Sequence, residues 1–204
     1  MKSNSPRERR RARTAQAILD AALEIISERG IEALSIREIA HRIEYSPSGL
    51  YEYYTSKDEI LDALVAQGFV LLTMQIERSL QDGSNAAQRL FDLSWAYLEF
   101  ARQHSQLYLL MFNHTFTQEG LIHTLAELDR NASYNLLRTC IQQGITSGEF
   151  RAPLNGDIEQ LAYSIWAQLH GIAMLRLTRL SAIDNIDAIN HHVLRLALTR
   201  LSGS

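Results

Sequence analysis

The chain has 204 residues with a formal net charge of −3, only 3 prolines and 10 glycines, and a single cysteine. That length suffices for one or two domains with a sizeable core. The balance of charge excludes a chain that grips polyanions with its whole surface, and the lone Cys140 excludes an internal disulfide and fits a reducing compartment.

With glycine and proline scarce and no alternating apolar pattern, the fold class is read as all-α. No N-terminal apolar run reads as a signal peptide and no run reads as long enough to span a bilayer, so a cytoplasmic protein without a membrane partner is expected. Charge is nevertheless uneven. Residues 1–13 hold Lys2, Arg7, Arg9, Arg10, Arg11 and Arg13 against Glu8 alone. Over 1–12 this predicts a flexible basic arm of the kind that lies along phosphates or in a minor groove, although a solvated tail has the same composition.

A first helix is expected from Arg13 or Thr14 to Arg29, where Ile18, Leu19, Ala22, Leu23, Ile25 and Ile26 form one stripe and Gly30 suits the C-cap. Two short helices joined by a tight turn follow, a pattern that enters DNA major grooves. Ser35 and Glu38 spell a capping box, after which Ile36, Ile39, Ala40 and Ile43 share a face. The chain breaks at Glu44-Tyr45. Ser46 then caps a helix from Pro47 to Tyr54, with Leu50 and Tyr54 turned inward and Ser48, Gly49, Tyr51 and Tyr53 outward. Small residues at such an end allow close approach to base edges, while the tyrosines and Lys57 reach phosphates.

Ser56 and Glu59 form another capping box, opening a long helix to Leu80 with Ile60, Leu61, Leu64, Val65, Phe69, Leu72 and Ile76 at helical spacing. A helix anchored in two domains can couple them. The division expected is a DNA-binding domain over 13–60 and a larger domain over 61–204.

Five more helices complete a set of nine: 86–103, 106–114, 118–146, 157–179 and 184–201. The bulky groups on four of them, Trp95, Phe100, Tyr108, Met111, Phe112, Tyr134, Tyr163, Trp166, His170 and Met174, could line an apolar cavity for a small molecule or simply fill a core. On the eighth helix Ile158, Leu161, Ile165, Leu169 and Ile172 form one apolar face, and Trp166, Ala173, Leu177 and Leu180 a second. The last carries Ile186, Ile189, Val193, Leu196, Ala197 and Leu201 on one stripe. Two such helices from each of two chains would make an intermolecular four-helix bundle, with Ile165, Leu169, Ile172, Ile189, Val193 and Leu196 at the homodimer interface. His114, His123 and His170 have no ligand-pair spacing, so no metal or other cofactor is expected; His191 and His192 read as surface. No nucleophile–base arrangement or phosphate loop suggests an enzyme.

The segment Ala12–Phe69 resembles the N-terminal domain of the TetR family of bacterial transcriptional regulators. The resemblance rests on Gly30, on Leu34-Ser35-Ile36-Arg37-Glu38-Ile39-Ala40, and on the run from Ser46 through Leu50-Tyr51 and Lys57 to Leu61. Further on, Trp166-Ala167-Gln168-Leu169-His170-Gly171 looks like a family subgroup with a Trp–His–Gly signature in its ligand domain. The resemblance implies a dimeric, nucleoid-associated repressor on a palindromic operator, released by a hydrophobic or aromatic ligand. In it Arg37 reads bases, Ser46, Pro47, Ser48 and Gly49 sit at the groove, and Tyr51, Tyr53 and Lys57 touch phosphates. An adaptor working through a protein partner, as nucleoid-occlusion members do, is the alternative. Three departures stand out: Glu44 replaces the usual Gly, which predicts a reshaped turn, Tyr45 replaces a small aliphatic residue, and Tyr54 replaces a usual Phe, so its hydroxyl needs a partner or solvent.

Overall fold

The computed structural model describes residues 5–80, 83–113, 132–151 and 157–202. Among them there is no β-strand, and nine helices run in order: α1 (Pro6–Arg29), α2 (Ile36–Arg42), α3 (Pro47–Leu50), α4 (Lys57–Ser79), α5 (Ala86–Gln103), α6 (Ser105–Asn113), α7 (Ala132–Thr146), α8 (Ile158–Thr178) and α9 (Ile186–Ser202). The chain divides into two compact units, one of Met1–Gly68 with Gln106–His114 and one of Phe69–Ser105 with Thr115–Ser204.

In the first unit α1 buries Ile18, Leu19, Ala21, Ala22, Ile25 and Ile26, and packs on α2 and on a 3-10 turn, Ile31–Ala33. Gly30 ends α1 at φ +81°, its N–H donating to the Ile26 carbonyl at 2.9 Å. Leu34, Ile39, Ala40, Leu50, Ile60, Leu61, Leu64 and Val65 complete this core. α6 seats Met111 against Gly68 of α4: a Cβ there would lie 2.5 Å from Met111 Sδ, so any larger residue would need the methionine to shift.

In the second unit α5 packs against α7, α8 and α9, and α7 against α8. Leu90, Leu93, Ala96, Tyr97 and Phe100 meet a core shared with Leu137, Ile141, Ala162, Ala173, Leu194 and Leu198. Cys140 is a small residue of this core, its thiol pushed up to about 11 by burial. Phe150 folds back onto α7, its N–H donating to the Gly144 carbonyl at 2.9 Å. Its ring lies where a side chain at Gly144 would be, 2.1 Å from a built Cβ.

Several expectations are corrected. α1 begins at Pro6, inside the stretch read as a flexible arm, because Ser5 accepts the Glu8 N–H at 3.2 Å while the Glu8 carboxylate accepts the Ser5 N–H, a complete capping box with proline at the first position. α3 ends at Leu50 and continues only as turns to Tyr53. α4 is, by length and composition, a helix that could cross a membrane, contrary to the reading that no run is long enough. Its Ile60, Leu61, Leu64, Val65, Leu72 and Ile76 are buried inside the chain, so its apolar content goes into core packing. On α9, Ile186 of the expected stripe is buried together with Leu194 and Leu198, while Ile189, Val193 and Leu196 of the same stripe are exposed. The expected helix over 118–146 is described only from Ala132; residues 114–131 and 152–156 lie outside the described residues.

Candidate functional site

The turn between α2 and α3 is set by backbone hydrogen bonds. The Tyr45 N–H donates to the Ala40 carbonyl at 2.8 Å and the Glu44 N–H to the His41 carbonyl at 3.3 Å, the two bonds of a Schellman C-cap. That motif needs one left-handed residue, and Glu44 supplies it at φ +55°. The turn therefore keeps the shape a glycine would give, with a glutamate bearing the strain. Tyr45 then lies across the next helix: its Cδ1 is 3.1 Å from a Cβ built on Gly49, and its ring meets Tyr53 edge-on with centroids 6.5 Å apart. A side chain at Gly49 would press on the Tyr45 ring and on Ser46 Oγ at 3.1 Å, so these neighbours would have to give by a few tenths of an ångström.

Ser46 caps α3, accepting the Gly49 N–H at 3.1 Å and lying 3.2 Å from Ser48 Oγ. Leu50 is fully buried, and Ser46, Pro47, Ser48 and Tyr51 are exposed. Tyr53, expected outward, is half-buried between Tyr45 and Arg11, whose guanidinium stands 5.6 Å over the Tyr53 ring and donates to the Glu52 carbonyl at 3.2 Å. Arg37 is exposed on α2 and has no ion pair among the described residues. Lys57 Nζ donates to the Ile31 carbonyl at 3.0 Å; an ammonium has three donors, so two remain.

Ion pairs lock this frame together. Arg42 on α2 makes a two-pronged contact with Glu28 on α1, at 3.0 and 2.6 Å, and reaches Glu24 at 3.3 Å. The Arg42 hydrogen bond holds the Glu28 carboxyl below its usual range, and Glu28 in turn raises the guanidinium. Ser35 caps α2 by accepting the Glu38 N–H at 3.2 Å, but Glu38 turns to Arg29 instead of closing the expected box. At the start of α4 Glu59 accepts from the Thr55 N–H and hydroxyl, which hold its carboxyl low.

In the second unit four of the expected ligand residues form one aromatic cluster. The Trp166 ring lies 6.2 Å from Tyr134, 5.9 Å from Tyr163 and 5.8 Å from His170. The Tyr134 hydroxyl donates to Glu159 at 2.7 Å, and Glu159 also pairs with Arg138 at 2.8 Å. Burial, and then this bond to Glu159, raise the Tyr134 phenol. The Tyr97 hydroxyl is 3.5 Å from His170 Nδ1, and burial lowers the His170 imidazole. Neither Tyr97 nor Glu159 is among the residues expected from the sequence to meet a ligand; for Glu159, a carboxylate one helical turn from Tyr163 was the available signal.

The other expected ligand residues do not join this cluster. Trp95 stands with Phe91 around His191, whose ring is 5.3 and 4.9 Å from theirs, so His191 is half-buried and only His192 is exposed. Phe100 and Tyr108 are fully buried core residues. Tyr108, Met111 and Phe112 belong to the first unit, and Met174 is half-buried on α8. Of the expected interface residues, Leu169 is buried within its own chain and Ile165 and Ile172 are half-buried, whereas Ile189, Val193 and Leu196 are exposed. His114 and His123 lie outside the described residues; among the described ones no three potential ligands gather.

A capped, short second helix on a three-helix frame, followed by an all-helical unit, defines the helix-turn-helix regulator class. The family model for bacterial regulatory proteins of the tetR family matches residues 18–64, and the one for tetracyclin repressor-like C-terminal domains matches residues 90–197. The chain belongs to the TetR family of bacterial regulatory proteins. The nicotine-responsive transcriptional repressor HdnoR of Paenarthrobacter nicotinovorans is 34% identical over 87 residues, 41% of this chain and 44% of the relative. The nucleoid occlusion factor SlmA of Pasteurella multocida is 30% identical over 93 residues, 46% of this chain and 47% of the relative. The matches thus span less than half the length of these two relatives. Among solved structures, a Rhodococcus sp. RHA1 protein of unknown function superposes with TM-score 0.78 at 25% identity, covering 92% of this chain and 95% of its own. The regulator FadR of Bacillus subtilis, in complex with stearoyl-CoA, superposes with TM-score 0.75 at 20% identity, covering 90% of this chain and 97% of its own.

Proposed function

We propose that this protein is a transcriptional repressor that binds a palindromic operator as a homodimer and leaves it when a hydrophobic or aromatic small molecule binds the second unit. The observation that carries the reading is the α2–α3 surface: Arg37 exposed and unpaired, with the small residues Ser46, Pro47 and Ser48 presented at a capped helix start. An arginine there can take both acceptors of a guanine edge, while Ser46, Pro47, Ser48 and Gly49 let the backbone approach. Tyr51, Tyr53 and the two remaining donors of Lys57 serve phosphates.

The homodimer is supported by Ile189, Val193 and Leu196, which repeat along the outer face of α9 and are exposed in the single chain. A dimer lets two α3 helices meet half-sites about 34–36 Å apart. The ligand site we favour is the Tyr134, Tyr163, Trp166 and His170 cluster, which pairs apolar rings with a few polar groups. The stearoyl-CoA complex of FadR and the nicotine response of HdnoR support a small organic effector. The Trp166–His170–Gly171 signature supports the matching subgroup, and the reading implies a cytoplasmic, nucleoid-bound protein that catalyses nothing. The SlmA likeness is no more extensive than that to regulators and does not favour a protein-partner adaptor. A gel-shift screen of duplexes from upstream of the protein's own gene, with and without aromatic and acyl compounds, tests the proposal. A shifted duplex released by one compound supports it; no shift on any duplex at low salt overturns it.

A further inference from the structure

The N-terminal basic stretch is not a loose arm. Ser5, Pro6 and Glu8 cap it into the first turns of α1, which run without a break into the buried part of the helix at Ile18. Arg11 then ties this extension to the end of the recognition segment, donating to the Glu52 carbonyl at 3.2 Å and lying over the Tyr53 ring. Arg7 is one turn before Arg11 on the same face, and Arg10 is beside it; both are exposed. Neither has an ion pair among the described residues. Glu8, the one acid in the stretch, is engaged by the cap.

We infer that α1 carries a second, rigid DNA contact, in which Arg7 and Arg10 take backbone phosphates outside the groove occupied by α3 and Arg11 is the positioning residue that fixes them there. A fixed helix cannot thread a minor groove as an extended arm does, so the contact is to phosphates and carries no sequence information of its own. Because the arginines are held before DNA arrives, little ordering accompanies binding. The inference rests on α3 being the groove-entering element.

The test uses the full chain and its operator duplex, with a random duplex of equal length, over a salt series. Arg7→Gln with Arg10→Gln should weaken both duplexes by the same factor and make the log–log salt slope shallower by about 0.9 for each phosphate lost. Hydroxyl-radical footprints should shorten at the outer edge. Arg11→Lys keeps the charge but loses the two-sided anchor, so it should reproduce the weakening and speed amide exchange over residues 7–12. Unchanged affinity and slope in the double variant overturn the inference, as does a loss confined to the operator. Binding to vesicles of anionic phospholipid with no change on DNA overturns it too, assigning the patch to membrane. Arg37→Ala separates the readings: it should abolish preference for the operator while leaving the slope change of the double variant intact. Failure of the wild-type chain to bind any duplex would instead sink the repressor reading itself.

Discussion

At Glu44 a side chain occupies a backbone conformation that glycine reaches without strain. The substitution was legible in the sequence as a departure, but its consequence was not. The turn keeps its shape because the two Schellman bonds and the seat of Tyr45 over Gly49 determine it together. Left-handed strain at a non-glycine residue is about 1–2 kcal/mol, and glycine adds entropy to the unfolded chain. Glu44→Gly should therefore raise the stability by about 0.5–1 kcal/mol in urea titration, with the m-value unchanged. His170 gives a second test. Burial lowers its pKa, so the unfolded chain binds the proton more readily. Stability should be complete above the ordinary histidine range and fall as pH drops through it. The fall in melting temperature between pH 7 and pH 5 should be smaller in His170→Gln; an equal fall would assign the pH dependence to other groups.

Among the elements, those with caps and a single apolar stripe were readable. Ser46-Pro47 and Ser56 each start a helix where the residue types require it. One reading failed for a physical reason. The start of α1 was read by charge, since its first turns bury nothing and show no periodicity, while Ser5-Pro6-Arg7-Glu8 was a capping box in plain sight. In α9 two apolar arcs lie side by side, Ile186, Leu194 and Leu198 on the core and Ile189, Val193 and Leu196 exposed. The pairing of Gly144 with Phe150 was not readable at all, because nothing local links an aromatic residue to a glycine six positions earlier. Gly144→Ala forces a methyl into a rigid ring and should cost about 1–3 kcal/mol, seen as a lower denaturation midpoint. A variant as stable as the parent would show that the ring is free to swing away.

For the molecule as a whole, the all-helical class came from composition and helical spacing, whereas the division did not: the first compact unit runs to Gly68 and takes in 106–114, which the sequence reading gave to the larger domain. The aromatic cluster came only in part, because a list of bulky residues does not reveal which are neighbours. Tyr134, Tyr163, Trp166 and His170 converge, while Phe100 and Tyr108 serve cores.

The bare face of α9 bears on how the protein behaves when scarce. Ile189, Val193 and Leu196 keep three branched aliphatics in water for as long as a chain is alone. On the proposed pairing, heat resistance should depend on abundance, with the calorimetric midpoint flat while chains are single and then climbing with the logarithm of concentration once they pair. Val193→Glu should flatten that curve, leaving dilute and concentrated samples to melt alike.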